Sequence, residues 1–463
     1  MIDNKTIGKI EKIVGKLNAT AEKEDLICYS YDAFNLRYLP DLVVFPESAQ
    51  EVSELLRLAN EQGFPVVPRG AGSGLTGGSV PIRGGVVVSF ERMNRILEID
   101  EEDMKAVVEP GVVTADFHRE VEKVGLFYPP DPASEEFSTL GGNVAECAGG
   151  LRAVKYGVTR DYVLGLELVL PTGEIVTAGV ETVKGVVGYD LTRLIVGSEG
   201  TLGIVTKIIL KLLPKPEARA TLRAFFARGE DAIQTAARII RERFLPATLE
   251  FMDGESLRCV EDYLKIGLPA EAEAMLLIED DGDPVLLKKN IRRMEEICRE
   301  RGTQVELAGN EKEAEDMWRP RKAISPALGR IRPRRFNEDV TVLRSRMEEL
   351  IRVVSGICKR YQVINVNFGH AGDGNIHVNI LYDPEDKEEL GRAEEAIEEV
   401  LKAVVEMKGT ISGEHGIGVA KAPYLHFELG DQGIAVMKKI KQAFDPNGIM
   451  NPGKIFASGN GTE

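Results

Sequence analysis

Pro68-Arg69-Gly70-Ala71-Gly72-Ser73-Gly74-Leu75-Thr76-Gly77-Gly78 holds five glycines in eleven residues. So many positions without a Cβ let the backbone turn through positive φ and come close to a ligand, with N–H groups facing an anion. Gly72, Gly74 and Gly77 make a Gly-x-Gly-x-x-Gly, the spacing of a Rossmann dinucleotide turn. That turn has to open a helix. Here Ser79-Val80-Pro81-Ile82-Arg83-Gly84-Gly85-Val86-Val87-Val88 follows, which reads as a turn and a glycine pair leading into a β-branched strand. The stretch is therefore a pyrophosphate loop of a non-Rossmann kind, or a glycine-rich turn without a ligand.

Upstream, residues 41–46 read as a strand, and Ser48-Ala49-Gln50-Glu51 as a capping box opening a helix with Val52, Leu55, Leu56 and Ala59 on one face. Residues 64–67 form a second strand that delivers the chain to the glycine loop. Ile7, Ile10, Ile13, Val14 and Leu17 predict a packing helix before it. Downstream, 86–90 and 106–109 are expected to continue one sheet, and Thr114 to cap a helix ending near Gly125. Tyr128-Pro129-Pro130-Asp131-Pro132-Ala133-Ser134 is too rich in proline for helix or central strand. Leu140-Gly141-Gly142-Asn143-Val144-Ala145-Glu146-Cys147-Ala148-Gly149-Gly150 reads as a second ligand wall. A hairpin is predicted over 164–178, and a third glycine cluster, Val196-Gly197-Ser198-Glu199-Gly200-Thr201-Leu202-Gly203, precedes a strand over 204–212. Three such loops in one sheet-rich region point to one extended ligand touched at several places.

Pro214-Lys215-Pro216-Glu217 marks a boundary. Beyond it, strands at 221–226, 247–252 and 274–278 alternate with helices at 231–243 and 285–301, the pattern of a split β-α-β domain with an antiparallel sheet. Helices at 311–330 and 346–361, two strands around Gly369, a helix across 387–408 and a final helix over 432–444 complete the chain.

The 463 residues suffice for about three domains, and 43% hydrophobic with 29% charged residues is an ordinary globular balance. A net charge of −16 argues against nucleic acid or an anionic membrane surface as partner. No run approaches ~18 apolar residues and the first residues lack an apolar signal core, so a cytoplasmic protein is expected, peripheral at most through a partner. Cys28, Cys147, Cys259, Cys298 and Cys358 are widely spaced and encode neither an iron–sulfur cluster nor a zinc knuckle. Reduced, mostly buried thiols are expected.

Three of the five histidines, His370, His377 and His415, fall close together in the C-terminal part. His370 and His377 flank Gly372-Asp373-Gly374, a hairpin turn that can fold the two imidazoles toward each other, and Asn375, His377 and Asn379 share a strand face. Ser412-Gly413-Glu414-His415-Gly416 offers a carboxylate and an imidazole side by side. Two histidines and Glu414 make a two-His-one-carboxylate metal site with open positions, leaving His415 as a proton acceptor. The other reading is hydrogen-bonded structural histidines, as expected for His118 and His426. Arg321, in Trp318-Arg319-Pro320-Arg321-Lys322, is either a carboxylate-binding arginine at a helix kink or part of a solvated basic run. Arg332-Pro333-Arg334-Arg335 is similarly open.

Taken together, Pro68-Arg69-Gly70-Ala71-Gly72-Ser73, Tyr128-Pro129-Pro130-Asp131-Pro132, Gly141-Gly142-Asn143, Ala148-Gly149-Gly150 and Gly197-Ser198-Glu199-Gly200-Thr201-Leu202-Gly203 resemble the FAD-binding domain of the vanillyl-alcohol oxidase and p-cresol methylhydroxylase flavoproteins. His370-x6-His377, Ser412-Gly413-Glu414-His415-Gly416 and Asn451-Pro452-Gly453-Lys454 are similar to the FAD-linked D-2-hydroxyacid dehydrogenases, among them D-lactate dehydrogenase, the glycolate oxidase catalytic subunit and D-2-hydroxyglutarate dehydrogenase. The resemblance spans nearly the whole chain. It implies an α+β architecture: an FAD-binding domain of two subdomains over 1–216, a ferredoxin-like antiparallel cap over 217–408, and a C-terminal segment over 409–463, partly helical, that completes the site.

It further implies FAD held by Pro68, Arg69, Gly70, Ala71, Gly72, Ser73, Gly77, Pro132, Ser134, Leu140, Gly141, Asn143, Ala148, Gly149, Gly150, Gly200, Gly203, Ile204, Val205 and Asn451. A divalent zinc, iron or manganese ion on His370, His377 and Glu414, a base at His415, and Arg321 on the substrate carboxylate complete the implied site, with hydride passing from C2 to flavin N5. Many relatives in the wider superfamily bind flavin covalently through a histidine in the first glycine loop. This loop has Ser73 and no histidine, so noncovalent FAD is expected. A small D-2-hydroxyacid such as D-lactate or glycolate is the implied substrate, and an electron-transferring flavoprotein or iron–sulfur subunit the implied partner. The competing readings are a 2-hydroxyglutarate-type dehydrogenase, a metal-dependent hydrolase or oxygenase with structural glycine loops, and a flavin or nucleotide carrier.

Overall fold

The computed structural model describes residues 2–457, which form two compact units. The first comprises 2–150, 158–215 and 414–457, and the second comprises 151–157 and 216–413.

In the first unit a four-stranded sheet has the order Ala19–Thr20, Leu42–Val44, Val86–Ser89, Val66–Arg69, the last three parallel. Leu42–Val44 and Val86–Ser89 are buried along their whole length, as parallel strands covered on both faces must be. The helix Ala49–Gln62 starts where Ser48 Oγ accepts from Glu51 N at 3.3 Å and ends at left-handed Gly63. Val52, Leu55, Leu56 and Ala59 are its buried face.

The expectation that 86–90 and 106–109 share a sheet fails. Val86–Ser89 has strands on both edges, so no edge is left to pair. Lys105–Val108 instead lies in a five-stranded antiparallel sheet, Ile96–Asp100, Lys105–Val108, Ile204–Lys211, Val163–Val169, Ile175–Gly179, which includes the predicted hairpin. Thr114 is the first residue of the helix Thr114–Lys123, not its cap, because its hydroxyl bonds Ser138 at 3.0 Å. The second glycine segment contains a short helix, Leu140–Glu146.

The second unit is built on a seven-stranded antiparallel sheet, in the order Gln304–Leu307, Ala218–Phe226, Ala274–Gly282, Thr248–Asp253, Ile364–His370, Asn375–Tyr382, Arg334–Thr341. Two of these strands, Gln304–Leu307 and Arg334–Thr341, and the helix Gly254–Leu264 carry too few apolar residues or too mixed a pattern to be read from periodicity. Register sets one face: Glu250 opposite His370, His370 opposite Asn375, Phe368 opposite His377, and His377 opposite Asp339. The helices Gly254–Leu264 and Glu311–Leu328 cover part of it, with Met252, Val366, Phe368 and Leu381 packed against Leu257, Met317, Ile324 and Leu328. Glu311–Leu328 runs through Pro320 and Pro326 without ending. All five cysteines are free; Cys147, Cys298 and Cys358 are buried, while Cys28 is exposed.

Candidate active site

In the first unit the three glycine loops line one cavity. Of the residues expected to hold the cofactor, Pro68, Arg69, Gly70, Ala71, Gly72, Ser73, Pro132, Ser134, Gly141, Asn143, Ala148, Gly149, Gly200, Gly203, Ile204 and Val205 border it. Glu414 and His415 border it too, their side chains 3.8 Å apart. The wall is made by close packing behind the backbone. A Cβ at Gly141 would lie 2.5 Å from Pro110 Cβ, and one at Gly149 would lie 2.7 Å from Glu414 Oε2. Gly72, at φ 70°, has the Arg69 guanidinium where a Cβ would stand, so Arg69 buttresses the loop from behind. Arg69 lies 5.6 Å over the Tyr29 ring and donates to Ser79 Oγ at 3.3 Å.

Gly77, Leu140, Gly150 and Asn451 do not border the cavity. Gly77 lies against Val419, Gly150 against Asp131, and Leu140 is fully buried. Asn451 Nδ2 donates to the carbonyls of Gly78 and Glu199 at 2.9 and 2.8 Å, so its amide staples the first and third loops together. Glu146 and Glu199, which the sequence did not single out as site residues, line the cavity.

The polar face of the second unit is organised by a residue that sequence reasoning missed. Glu250 stands between Leu249 and Phe251 in a buried strand and accepts from His370 Nδ1 at 2.5 Å and from Arg321 Nε at 2.7 Å. Burial pushes its carboxyl up, but the His370 imidazole and the Arg321 guanidinium outweigh burial and hold it at about 2. A carboxylate on Nδ1 favours the proton there and puts the imidazole lone pair on Nε2, an arrangement that metal-bound histidines also use. The His370 and His377 rings are 5.3 Å apart, edge to face, and both are buried. Arg321 also lies 4.9 Å over the Phe368 ring.

Asp339, fully buried opposite His377, receives Gly413 N at 2.8 Å and Ser412 Oγ at 3.2 Å on one carboxylate oxygen. Arg335 donates to Ser325 O and Oγ at 3.1 and 2.7 Å, and burial lowers its pKa. No carboxylate ion pair of Arg335 occurs among the described residues. The remaining histidines have ordinary partners: His118 meets Pro130 O and Glu135, and exposed His426 meets Pro423 O.

Among the described residues, no helix is long and apolar enough to cross a membrane. Residues 40–179 match the FAD binding domain family, and residues 215–455 match the family described as FAD linked oxidases, C-terminal domain. The chain is 46% identical over 459 residues to the glycolate oxidase subunit GlcD of Bacillus subtilis (strain 168), covering 99% of this chain and 98% of that protein. It is 40% identical over 425 residues to a D-lactate dehydrogenase of Anaerostipes hadrus, covering 90% and 89%. The crystal structure of p-cresol methylhydroxylase with substrate bound superposes with a TM-score of 0.81 at 19% identity, over 99% of this chain and 98% of that one. By sequence and by fold, then, the chain belongs to the FAD-linked oxidase family and is a flavin-dependent oxidoreductase of the p-cresol methylhydroxylase fold.

Proposed function

We propose that the protein oxidises a small D-2-hydroxyacid, D-lactate or glycolate, to the 2-oxoacid at a metal-assisted flavin site, and passes the electrons to a protein partner. The observation that carries the reading is Glu250 on His370 Nδ1 with His377 beside it on the same buried face. A general structural role does not require a histidine pair with one member oriented by a carboxylate. Gly413, tied to Asp339 opposite His377, is followed one residue later by Glu414, so the covalent chain carries the third ligand from an anchored start. His370, His377 and Glu414 would hold a zinc, iron or manganese ion, a donor set suited to any of these. Bound FAD supplies the two-electron acceptor and the ion supplies Lewis acidity.

The chain's own side chains do the rest. His415 takes the proton of the substrate hydroxyl as C2 gives up its hydride. Arg321 commits Nε to Glu250, and its Nη1 and Nη2 would take the substrate carboxylate. The glycine cradle fits FAD because it offers backbone and no bulk along one wall. With Ser73 and no histidine in the 68–78 loop, the cofactor is held there without a covalent bond. A subunit partner is supported by the GlcD relative, whose name makes it a subunit of a glycolate oxidase. Like the partner, a cytoplasmic location is part of this reading.

Anaerobic flavin bleaching by a panel of D- and L-2-hydroxyacids, with metal analysis and acid release of FAD, tests the reading. Bleaching by D-lactate or glycolate that is lost on chelation and regained with metal is expected; bleaching indifferent to chelation would overturn the metal. Arg335 favours a second reading, since a half-buried guanidinium on hydroxyl and carbonyl partners suits a distal carboxylate. A preference for D-2-hydroxyglutarate in the same panel would select it.

A further inference from the structure

Glu199 is buried at a left-handed φ of 52°, a conformation that strains a non-glycine residue. It persists where surrounding bonds over-determine it. Those bonds are on both sides of the residue. Its backbone N donates to Ala145 O at 2.8 Å, and its carbonyl accepts from Asn451. Its carboxylate accepts from Ile417 N and Gly418 N, both at 2.7 Å. Thr76, in the first glycine loop, supports the same segment, accepting from Val419 N at 2.8 Å and donating from Oγ1 to His415 O at 3.3 Å. Gly416, at φ 81°, closes the fit: a Cβ there would strike Glu146 Oε2 and lie 3.0 Å from Glu199 Oε1. The segment carrying Glu414 and His415 is thus seated on a carboxylate from the glycine cluster that walls the flavin cavity.

We infer that Glu199 is a positioning residue that, through the N–H groups of Ile417 and Gly418, fixes His415 and Glu414 against the flavin cavity. Cofactor wall and proton acceptor then share one anchor. This rests on the reading of His415 as the group that takes the hydroxyl proton. Two N–H bonds, one to each oxygen of a single buried side chain, tie two successive residues of the loop to one point. Gln has the same shape but presents one acceptor oxygen and one amide donor, so it can keep at most one of the two.

The test uses holoenzyme loaded with FAD. Glu199→Gln is expected to retain FAD, to exchange the amides of Ile417 and Gly418 faster by mass-spectrometric hydrogen exchange, and to lower the limiting rate of flavin reduction on the order of 10–100-fold. The substrate concentration giving half that rate should move little, since on this inference Glu199 acts through the loop. In a His415→Ala background the same substitution is expected to cost less than about threefold, because residues acting as a unit are not additive. Full additivity, or unchanged exchange, would overturn the inference. A wild-type rate in His415→Ala alone would instead sink the reading of His415, while the exchange result would still report on Glu199. Should Glu199→Gln not accumulate, Gly416→Ala presses the loop off the same carboxylate from the other side; wild-type exchange and rate in that variant would overturn the inference equally.

Discussion

The glycine wall of the first unit and the histidine face of the second are specified in opposite ways. The first is shaped by what is absent: no Cβ at Gly141 or Gly149, and at Gly72 the space filled by Arg69. The second is shaped by what is present and charged, a buried carboxylate between an imidazole and a guanidinium. A steric site fails when something is added and an electrostatic one when something is removed. The two should therefore break separately, one losing the cofactor and the other losing the chemistry with the cofactor still bound.

The largest break is expected on the charged side. His377→Ala should lower anaerobic flavin reduction by about 10³-fold, as loss of a Lewis acid worth several kcal/mol requires, with FAD stoichiometry unchanged. Metal analysis should show the ion gone; loss of FAD as well would show that the two sites do not separate. Glu250→Gln should cost about 10–100-fold in metal affinity, the range for partners that orient a ligand, again with FAD retained. On the steric side, Gly141→Val should give protein short of FAD by absorbance. Its unfolding free energy should be lowered by about 1–3 kcal/mol, the cost of forcing side-chain atoms against Pro110.

The two sites also differ in how far they could be read in the sequence. The glycine wall was legible because each loop is local, and positive φ and missing Cβ atoms are properties of residue type. His370 and His377 were legible because Gly372-Asp373-Gly374 returns the chain on itself within a few residues. Glu250 was not, since 120 residues separate it from His370 and only sheet register brings them together. A signal existed: a carboxylate in mid-strand at Glu250, between buried Leu249 and Phe251, must have a partner. Asp339 was hidden in the same way within the polar strand Arg334–Thr341, as was Glu199, whose partners come from the far end of the chain. Asn451 was legible as a residue of the site's motif but not in its placement, since the amide bonds two loop carbonyls behind the cavity wall.

An effect confined to pH dependence tests whether the steric site carries an electrostatic component of its own. Asp32 is buried behind the first glycine loop, and Ala33 N donates to Gly74 O at 3.1 Å. Burial raises its carboxyl to about 6, against the N–H groups of Phe34 and Gly77 and the cations Arg69 and Lys454, which pull it down. The folded state thus binds the proton more tightly than the unfolded chain, whose value is near 3.8. Stability from this group is complete below the unfolded value and is lost as pH rises through about 6. Asn is neutral throughout and keeps an oxygen for Phe34 N, which Asp32 Oδ1 bonds at 3.0 Å. The stability difference between Asp32→Asn and wild type, from urea unfolding at matched pH, should move in favour of Asn by on the order of 1–3 kcal/mol between about pH 4 and 7. A flat difference, or one that moves the other way, would mean that Arg69 and Lys454 pair with Asp32 strongly enough to offset its burial. The loop would then be braced by charge as the histidine face is, and the contrast between the two regions would be one of degree.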